Sequence, residues 1–307
     1  MSADRPLAAF LATARARVDE ALEHYLPKPP DCPAIMSEAM RYSVFAGGKR
    51  FRPILALAAA DAVALGPADD LALPAACAIE LIHTYSLIHD DLPAMDDDTL
   101  RRGRPTLHVV YGDGIAILAG DGLHAEAFAL LAREPGGHEF DVRKLRVIQV
   151  IGGAAGPMGM VGGQSIDLQA AGQGPYGRVA LDADGLRAMH AMKTGALIRA
   201  AAVSGAVMAG ASGDAIRAID TYATELGLAF QIVDDILDVE GEAGALGKTT
   251  GKDAAGSKPT YPALFGLDRS RALAAECIAR ARTALEQAQL AEGWLLPIAD
   301  WILHRKS

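Results

Sequence analysis

Apolar residues recur at helical spacing along most of this 307-residue sequence. In residues 4–24, for example, Leu7, Leu11, Val18 and Leu22 are spaced so that they share one face of a helix. We found no convincing run in which apolar and polar residues alternate as they do in a strand. The sequence therefore predicts an all-α helical bundle with an active-site cavity between its helices. With 51% hydrophobic residues the chain can form a large core, and we expect one domain spanning residues 1–307.

A dense charged segment, HDDLPAMDDDTLRRGRP at 89–105, follows one of the apolar helices. Its charged side chains are Asp90, Asp91, Asp96, Asp97 and Asp98, followed by Arg101, Arg102 and Arg104. Carboxylates this close repel one another unless a cation lies among them. Oxygen ligands suit Mg²⁺, which usually arrives with substrate phosphates, and arginine offers forked donors to phosphate. The segment predicts a site for a metal-chelated phosphate or diphosphate; the alternative is a solvated acidic turn before a basic one.

The spacing within this first acidic motif predicts a break in its helix. On an unbroken helix Asp96 would lie about 240° round the axis from Asp90, so the two could not share a ligand. Pro93 lies between them and disrupts a helix interior. We expect the helix to open at 92–95 so that Asp96 folds back. A straight helix would align Asp97 with Asp90 instead, and the spacing leaves both possibilities open.

A second acidic motif, FQIVDDILD at 230–238, lies in an apolar stretch. Asp234 and Asp238 are four residues apart, Asp235 and Asp238 three apart, and Gln231 joins the same helical face. Like charges so placed weaken an isolated helix, and charges in an apolar helix need partners or a metal. The motif therefore favours a second metal site over a charged surface face.

The ordered set of motifs resembles the trans-isoprenyl diphosphate synthases over roughly residues 35–265. The segments that carry the resemblance are GGKRFRP at 47–53, IELIHTYSLIHDDLPAMDDDTLRRGRPTLH at 79–108, GGQSIDL at 162–168, KTG at 193–195, FQIVDDILD at 230–238 and GKTTGKD at 247–253. The resemblance implies a prenyltransferase that condenses isopentenyl diphosphate with dimethylallyl and then geranyl diphosphate, giving farnesyl diphosphate. It also implies three Mg²⁺ ions, for which Mn²⁺ can substitute.

The resemblance assigns roles residue by residue. The implied metal ligands are Asp90, Asp91, Asp96, Asp234, Asp235 and Asp238. The implied substrate-binding residues are Lys49, Arg52, His83, Arg101, Arg102, Lys193, Thr194, Gln231, Lys248 and Lys258. Among all of these, the implied catalytic residues are Asp90, Asp91, Lys193 and Asp234.

The implied substrate ligands divide between two diphosphates. Lys49, Arg52, His83 and Arg102 are expected to hold isopentenyl diphosphate. The allylic diphosphate is expected to contact Arg101, Lys193, Thr194, Lys248 and Lys258. The role of Arg50 is left open, and Gln164 and Asp167 are expected to point toward the site without binding metal. In relatives a basic C-terminus, here Arg305 or Lys306, can close over the homoallylic diphosphate.

Tyr85 is the expected determinant of product length. It lies five residues before Asp90, roughly 7.5 Å back along the same helix. By resemblance this position forms the floor of the pocket that receives the growing chain. A bulky ring there, with small Ser86 beside it and two extra residues in the first motif, resembles the farnesyl-producing type. Geranyl and geranylgeranyl diphosphate synthases remain alternatives, as does a non-catalytic subunit of a heteromeric synthase.

Composition and charge limit the partners. A net charge of −9 is poorly suited to binding nucleic acid, which relies on Lys and Arg. Three scattered cysteines indicate reduced thiols in a cytoplasmic protein. The uncharged stretch 147–166 contains six glycines, so we expect close helix packing there and no membrane span. By resemblance we expect a homodimer.

Two other motif interpretations fail on the sequence. GEAGALGKTT nearly matches a nucleotide-binding P-loop, but Glu242 stands where the motif needs glycine, and an acidic helix precedes it where a strand should. A terpene cyclase also carries one DDxxD motif. Its second site normally mixes Asn, Ser or Thr, and Glu, whereas here a second aspartate motif stands instead.

Overall fold

A computed structural model describes residues 4–64, 69–173, 175, 177–244 and 260–305. The helices in this part of the chain are α1 (Asp4–Tyr25), α2 (Ala34–Val44), α3 (Phe51–Val63), α4 (Asp69–Asp90), α5 (Leu107–Tyr111), α6 (Asp113–Arg133), α7 (Asp141–Ala155), α8 (Met160–Ala170), α9 (Ala183–His190), α10 (Ala196–Met208), α11 (Gly213–Gly244), α12 (Tyr261–Phe265), α13 (Leu267–Gln287) and α14 (Leu295–His304). A 3₁₀ turn, His138–Phe140, precedes α7, and a π turn, Ala191–Gly195, joins α9 to α10.

One short hairpin is the only strand pair among the described residues. Strand β1 (Leu100–Arg101) pairs antiparallel with β2 (Arg104–Pro105). The two residues between them, Arg102 and Gly103, have φ values of 53° and 74°. Positive φ at both positions is the geometry of a tight type I′ hairpin turn. The prediction of an all-α fold is confirmed, and the hairpin is a local device that presents the arginines after the first acidic motif.

The described chain falls into two compact units. The first unit is Met1–Ile151 with Ser204–Gly210, and the second is Gly152–Val203 with Ala211–Ser307. The boundaries between them fall near the end of α7 and inside α10. The expectation of one domain over residues 1–307 stays a prediction.

The first unit is built around α4, which packs against α3 and α6. Side chains such as Leu55 and Ile82 are fully buried between these helices. The end of α10 lies close to α3, because a Cβ on Gly205 would come within 1.9 Å of the carbonyl oxygen of Ala56. Only glycine permits that approach of two backbones.

The second unit is built around α11, which packs along α13 and against the π turn and α14. Tyr222 on α11 is fully buried, and its hydroxyl donates a 2.6 Å hydrogen bond to the carbonyl oxygen of Leu295. Burial raises the pKa of the Tyr222 hydroxyl, so it stays protonated and able to donate. A buried hydroxyl with a partner avoids the cost of an unsatisfied polar group.

Among the residues that the structure describes, two helices are long and apolar enough to cross a membrane by length and composition alone. They are Asp70–Asp90 and Asp113–Arg133, and the most apolar window is 72% buried in the former and 39% buried in the latter. The core helix of a globular protein passes the same test, so this is weak evidence for a membrane span. The stretch 147–166 is divided between α7 and α8, with a turn at 156–159 between them.

Candidate active site

The first acidic motif folds back at the end of α4. The helix ends at Asp90, and the N–H of Asp96 donates a 2.9 Å hydrogen bond to the carbonyl oxygen of Asp90. The N–H of Asp98 donates similarly to the oxygen of Asp91, at 3.1 Å. The predicted opening of the helix between Asp90 and Asp96 is therefore confirmed. The backbone brings Asp96 beside Asp90, while Asp97 takes a left-handed φ of 50° within the turn.

Asp91 is committed to Arg101. The Arg101 guanidinium donates to both oxygens of Asp91 at 2.7–3.0 Å, and Asp91 is only 4% exposed. Burial lowers the pKa of Arg101, but its hydrogen bond to Asp91 and the charges of Asp91, Asp90 and Asp96 outweigh that effect and raise it. Three of the predicted metal ligands thus lie within electrostatic reach of one fixed cation.

The basic loop lies against the hairpin. Arg102 donates from Nη1 to the carbonyl oxygen of Gly47, and a Cβ on Gly48 would come within 2.7 Å of the same guanidinium nitrogen. Lys49 is exposed, and Arg52 lies in the first turn of α3. Arg50 differs from both, because its side chain is buried and hydrogen-bonded to the protein on three sides.

His83 lies one turn further along α4 than Glu80 and is electrically neutral. Burial is the largest effect, and the charges of Arg52, Arg102, Arg101 and Arg50 act in the same direction, so the pKa of His83 lies well below its usual value. A neutral imidazole can donate one hydrogen bond to an anion. Arg52 and Arg102, which the resemblance assigns to isopentenyl diphosphate, thus lie within electrostatic reach of His83.

A pocket opens in the first unit between α2, α4 and the hairpin. Arginines Arg50, Arg101, Arg102 and Arg104, acidic residues Glu80 and Asp91, and His83 are among the residues that line it. Arg101 is paired with Asp91 and Arg50 with Glu80. Two further guanidiniums, of Arg102 and Arg104, leave the lining with an excess of positive charge, which favours an anionic ligand.

The second acidic motif lies near the end of α11, in the second unit. Asp238 is exposed, and the side chain of Asp234 is 38% exposed. Asp235 is buried: its Oδ1 accepts a 3.0 Å hydrogen bond from Gln231 Nε2, and its Oδ2 accepts one of 3.0 Å from the N–H of Tyr261. Asp234 and Asp238 are thus the more accessible carboxylates, whereas Asp235 and the predicted substrate ligand Gln231 bind each other.

Arg305 contacts the second motif directly. Its Nη2 donates to Asp234 Oδ1 and, at 3.0 Å, to the carbonyl oxygen of Phe230, while its guanidinium lies 4.0 Å above the Phe230 ring. Cation–π stacking and the charge pair hold this side chain almost fully buried. The sequence motif alone did not pair the C-terminus with Asp234.

Lys193 lies in the π turn between α9 and α10. Its Nζ donates a 2.5 Å hydrogen bond to Asp167 Oδ2 on α8. A Cβ on Gly163 would come within 2.3 Å of the Lys193 backbone nitrogen, so only glycine lets α8 approach the turn. π turns inside helices are frequent at functional sites. Thr194 is the next residue of the same turn.

Gln164 is the neighbouring polar residue on α8. It is buried, and within the described part of the chain neither atom of its side-chain amide has a hydrogen-bond partner. A buried amide without a partner is costly unless a ligand or water completes it. The amide of Gln164 is therefore available to bind a polar ligand or a water molecule in the second unit.

Tyr85 is fixed by aromatic contacts that the sequence motif did not reveal. Its ring stacks on His124 of α6 with centroids 4.6 Å apart and lies edge-on to His89 at 5.7 Å. Phe128, one turn along α6, packs edge-on against His124. His124 therefore packs with Tyr85 as a pair that we call the aromatic wall, although nothing in the local sequence of His124 marks it.

The aspartates suit Mg²⁺ bound together with phosphate better than they suit a metal ion held by protein ligands alone. Among the residues that the structure describes, no three His, Cys, Asp or Glu side chains converge into a ready-made cage. Mg²⁺ is typically held by one or two carboxylates, with phosphate oxygens and waters completing its shell. Asp90 with Asp96, and Asp234 with Asp238, are donor sets of that kind. Lys248, Lys258 and Lys306 lie outside the described residues.

Known proteins resemble this chain over most of its length. Residues 33–292 match the polyprenyl synthetase family model. The farnesyl diphosphate synthase of Geobacillus stearothermophilus is 43% identical over 296 residues, covering 96% of this chain and 97% of the relative. The geranylgeranyl diphosphate synthase of Cyanophora paradoxa is 40% identical over 301 residues, covering 98% and 97%.

The fold of this chain resembles that of a solved structure. The apo structure of a farnesyl/geranylfarnesyl diphosphate synthase from Zymomonas mobilis is similar, with a TM-score of 0.82 and 36% identity, covering 97% of this chain and 99% of that one. The family match spans most of the sequence and the relatives match almost end to end. The chain therefore belongs to the polyprenyl synthetase family and is a prenyltransferase.

Proposed function

We propose that this chain catalyses the Mg²⁺-dependent head-to-tail condensation of isopentenyl diphosphate with dimethylallyl and then geranyl diphosphate, releasing farnesyl diphosphate. The observation that carries the proposal is the folded-back first motif, in which Asp96 returns beside Asp90 next to the paired Asp91 and Arg101. This arrangement offers carboxylates to metal and an oriented cation to phosphate within one loop.

We assign the metal ligands by exposure and contact. Asp90 and Asp96 of the first motif, with Asp234 and Asp238 of the second, would hold Mg²⁺, three ions in all, for which Mn²⁺ can substitute. Asp91 and Asp235 would support them, since each is buried and its carboxylate is held by hydrogen bonds from the protein. When bound, Mg²⁺ would neutralise the diphosphate and stabilise it as a leaving group. We also propose that both units form one catalytic domain carrying the two motifs, and the continuous family match over 33–292 supports this.

The basic residues divide between the two substrates. Arg101, Lys193 and Thr194, with Lys248 and Lys258, would hold the allylic diphosphate, and Asp167 would orient Lys193 through their 2.5 Å contact. Lys49, Arg52, His83 and Arg102 would hold isopentenyl diphosphate. The low pKa of His83 makes it a hydrogen-bond donor to that diphosphate and a weak base.

The chemistry follows from charge placement. The allylic carbon–oxygen bond breaks as the cations stabilise the departing diphosphate. The double bond of isopentenyl diphosphate then attacks the allylic carbon, in a pocket that must exclude water to prevent capture as an alcohol. This attack leaves a positive charge on the former isopentenyl unit, and loss of a proton from the carbon next to that charge forms a new double bond. We assign the released diphosphate as the proton acceptor because His83 is too weak a base.

Tyr85 and His124 would set where elongation stops. Their stacked rings cross from α4 to α6 below the first motif, and a chain that reaches them cannot extend further without displacing a ring. The alternative product is geranylgeranyl diphosphate, since a relative of that name is 40% identical over nearly the whole chain. Geranyl diphosphate requires the wall to lie closer to the motif.

We further propose a cytoplasmic homodimer that uses α6 and α7. Within the first unit, Leu118 on α6 is 53% exposed, and Val142 and Leu145 on α7 are 78% and 63% exposed. Ile117 beside Leu118 is 44% exposed. A second copy covering these side chains would explain the low burial of an apolar helix such as α6. Light scattering with size exclusion tests this, and a monomer of 32.0 kDa would refute it.

Product analysis tests the proposed activity. The protein is incubated with radiolabelled isopentenyl diphosphate, one allylic primer and Mg²⁺, and the dephosphorylated products are separated by chain length. Farnesol from both the dimethylallyl and the geranyl primer is the expected result. A twenty-carbon product would favour the alternative, and no condensation with either primer would overturn the proposal.

A further inference from the structure

We propose that Arg50 is a positioning residue: it fixes the basic loop that carries Lys49 and Arg52, and so sets the affinity for isopentenyl diphosphate without touching it. The assignment rests on the function proposed above, in which those two residues hold that diphosphate. It begins from the difference between Arg50 and its neighbours, since Lys49 is exposed whereas Arg50 is 4% exposed.

The Arg50 side chain joins three elements of the first unit. Its Nε donates to Asp19 Oδ1 on α1 at 2.7 Å, its Nη1 to Glu80 Oε1 on α4 at 2.8 Å, and its Nη2 to the carbonyl oxygen of Val44 at the end of α2 at 2.6 Å. All three nitrogens are thus engaged with protein. A buried guanidinium so occupied is an anchor, because a diphosphate would have to displace these contacts to bind it.

The backbone of the loop needs such an anchor. Gly47 and Gly48 have φ values of 91° and 133°, and Arg50 itself has a φ of 50°. A left-handed conformation is unfavourable for a residue with a Cβ and persists when surrounding contacts hold it. The three Arg50 hydrogen bonds supply those contacts. They hold Lys49 between Gly48 and Arg50, both at positive φ, and fix the start of α3 at Phe51.

The same anchor is connected to the other predicted ligands of isopentenyl diphosphate. Glu80, which Arg50 binds, lies one helical turn before His83 on α4. Arg102 donates to the carbonyl oxygen of Gly47 in the loop. A shift of the loop would therefore move Lys49 and Arg52 relative to His83 and withdraw the acceptor that holds Arg102.

Arg50→Lys tests this role with little change in charge. A lysine has a compact ammonium and cannot present the three directed nitrogens of a guanidinium, so the loop should lose part of its anchor. We expect the KM for isopentenyl diphosphate to rise about tenfold or more, while the KM for geranyl diphosphate and kcat change less than about threefold. A tenfold change corresponds to about 1.4 kcal/mol of binding free energy.

Arg41→Lys is the matched control. Arg41 also belongs to the first unit and makes comparable contacts, to Glu23 Oε2 at 2.5 Å and to the carbonyl oxygen of Leu26 at 2.9 Å. It joins α2 to the end of α1 and makes no contact with the basic loop in these bonds. We expect Arg41→Lys to lower thermal stability, though less than Arg50→Lys because Glu23 is more exposed than Glu80, and to leave both KM values unchanged.

Glu80→Gln provides a second route if Arg50→Lys folds poorly. It keeps an oxygen that accepts from Arg50 but removes the charge, so it weakens the same anchor with less disturbance. The expected result is a smaller rise in the KM for isopentenyl diphosphate alone. Circular dichroism and thermal unfolding establish that each variant is folded.

The outcomes separate the assignment from the function on which it rests. A wild-type protein without condensation activity would overturn the proposed function and the assignment together. An active wild type whose Arg50→Lys and Glu80→Gln variants keep their KM for isopentenyl diphosphate, raise both KM values equally, or both fail to fold would overturn the assignment alone. A rise in the KM for isopentenyl diphosphate in Arg41→Lys as large as that in Arg50→Lys would also overturn the assignment.

Discussion

Arg305 lies on Asp234, with its guanidinium donating to one carboxylate oxygen while it stacks over the ring of Phe230. Asp234 is the first aspartate of the second acidic motif and one of the carboxylates proposed to hold Mg²⁺. A guanidinium and a metal ion compete for the same oxygen. Arg305, the residue after α14, thus places a cation at an aspartate for which the sequence predicts a metal ion.

Replacing Arg305 should ease metal binding at Asp234. A hydrogen bond to a charged group contributes about 1.5–3 kcal/mol, although competition with water reduces what is recovered. We expect Arg305→Gln to lower the Mg²⁺ concentration for half-maximal rate several-fold, up to about tenfold. Arg282→Gln removes an exposed pair with Asp300 and is the control. A higher Mg²⁺ requirement in Arg305→Gln would contradict the competition.

Asp96 and Asp97 should differ sharply in their importance. The backbone returns Asp96 to Asp90, whereas Asp97 is an exposed residue of the turn. We expect Asp96→Asn to lower kcat/KM by about 10²-fold or more, since removing one stabilising group from a transition state costs about that much. Asp97→Asn should change it less than about threefold, because asparagine tolerates the left-handed conformation. Steady-state kinetics at saturating Mg²⁺ measures kcat/KM for both variants, and equal losses would contradict the predicted difference.

Opening the wall at Tyr85 should lengthen the product. Tyr85→Ala removes the ring that stacks on His124, and His124→Ala removes the other half of the same wall. We expect both variants to release products longer than fifteen carbons, with the larger change in Tyr85→Ala. Tyr25→Ala, at the end of α1, should leave product length unchanged. Chromatography of the dephosphorylated products gives the result, and unchanged lengths in both wall variants would remove this role.

Acidification should destabilise the protein through His83. The pKa of His83 is lowered in the folded state by burial and by nearby arginines, so below the usual value of 6.5 the unfolded state binds the proton more readily. Stability is therefore complete above about pH 6.5 and falls as the pH drops toward the folded pKa, by up to about 1.4 kcal/mol per pH unit.

Urea unfolding at pH 7 and pH 5 measures this dependence. His83→Gln should unfold with a weaker pH dependence than wild type, by up to one proton, because glutamine does not titrate in this range. Equal slopes in wild type and His83→Gln would show that His83 is not held neutral by folding.

Local sequence patterns predicted the features that depend on near neighbours. Pro93 indicated the opening after Asp90, and Gly195, a residue unfavourable in a helix interior, indicates an irregular turn at Lys193. Helical periodicity predicts one helix over 107–132, but the structure has two, because Gly112 has a φ of 82° between α5 and α6. That break depends on one backbone conformation, which helical periodicity does not record.

Contacts between distant segments lay beyond the sequence analysis. Arg50 reaches Asp19 and Glu80, His124 reaches Tyr85, and Arg305 reaches Asp234, each from another helix or loop. None of these pairs is marked by spacing, and each depends on how helices pack. The residue types at the site could be listed from motifs, but which aspartates are accessible and which are already engaged could not.

The most direct measurement of the central claim compares wild type with Asp90→Ala and Asp234→Ala in Mg²⁺-dependent condensation of radiolabelled isopentenyl diphosphate and geranyl diphosphate. Asp31→Ala, at an exposed carboxylate in the loop before α2, is the control. The account predicts farnesyl diphosphate from wild type and control, and losses of at least about 10²-fold in both motif variants and on chelation of Mg²⁺. Turnover retained in Asp90→Ala or Asp234→Ala would contradict it.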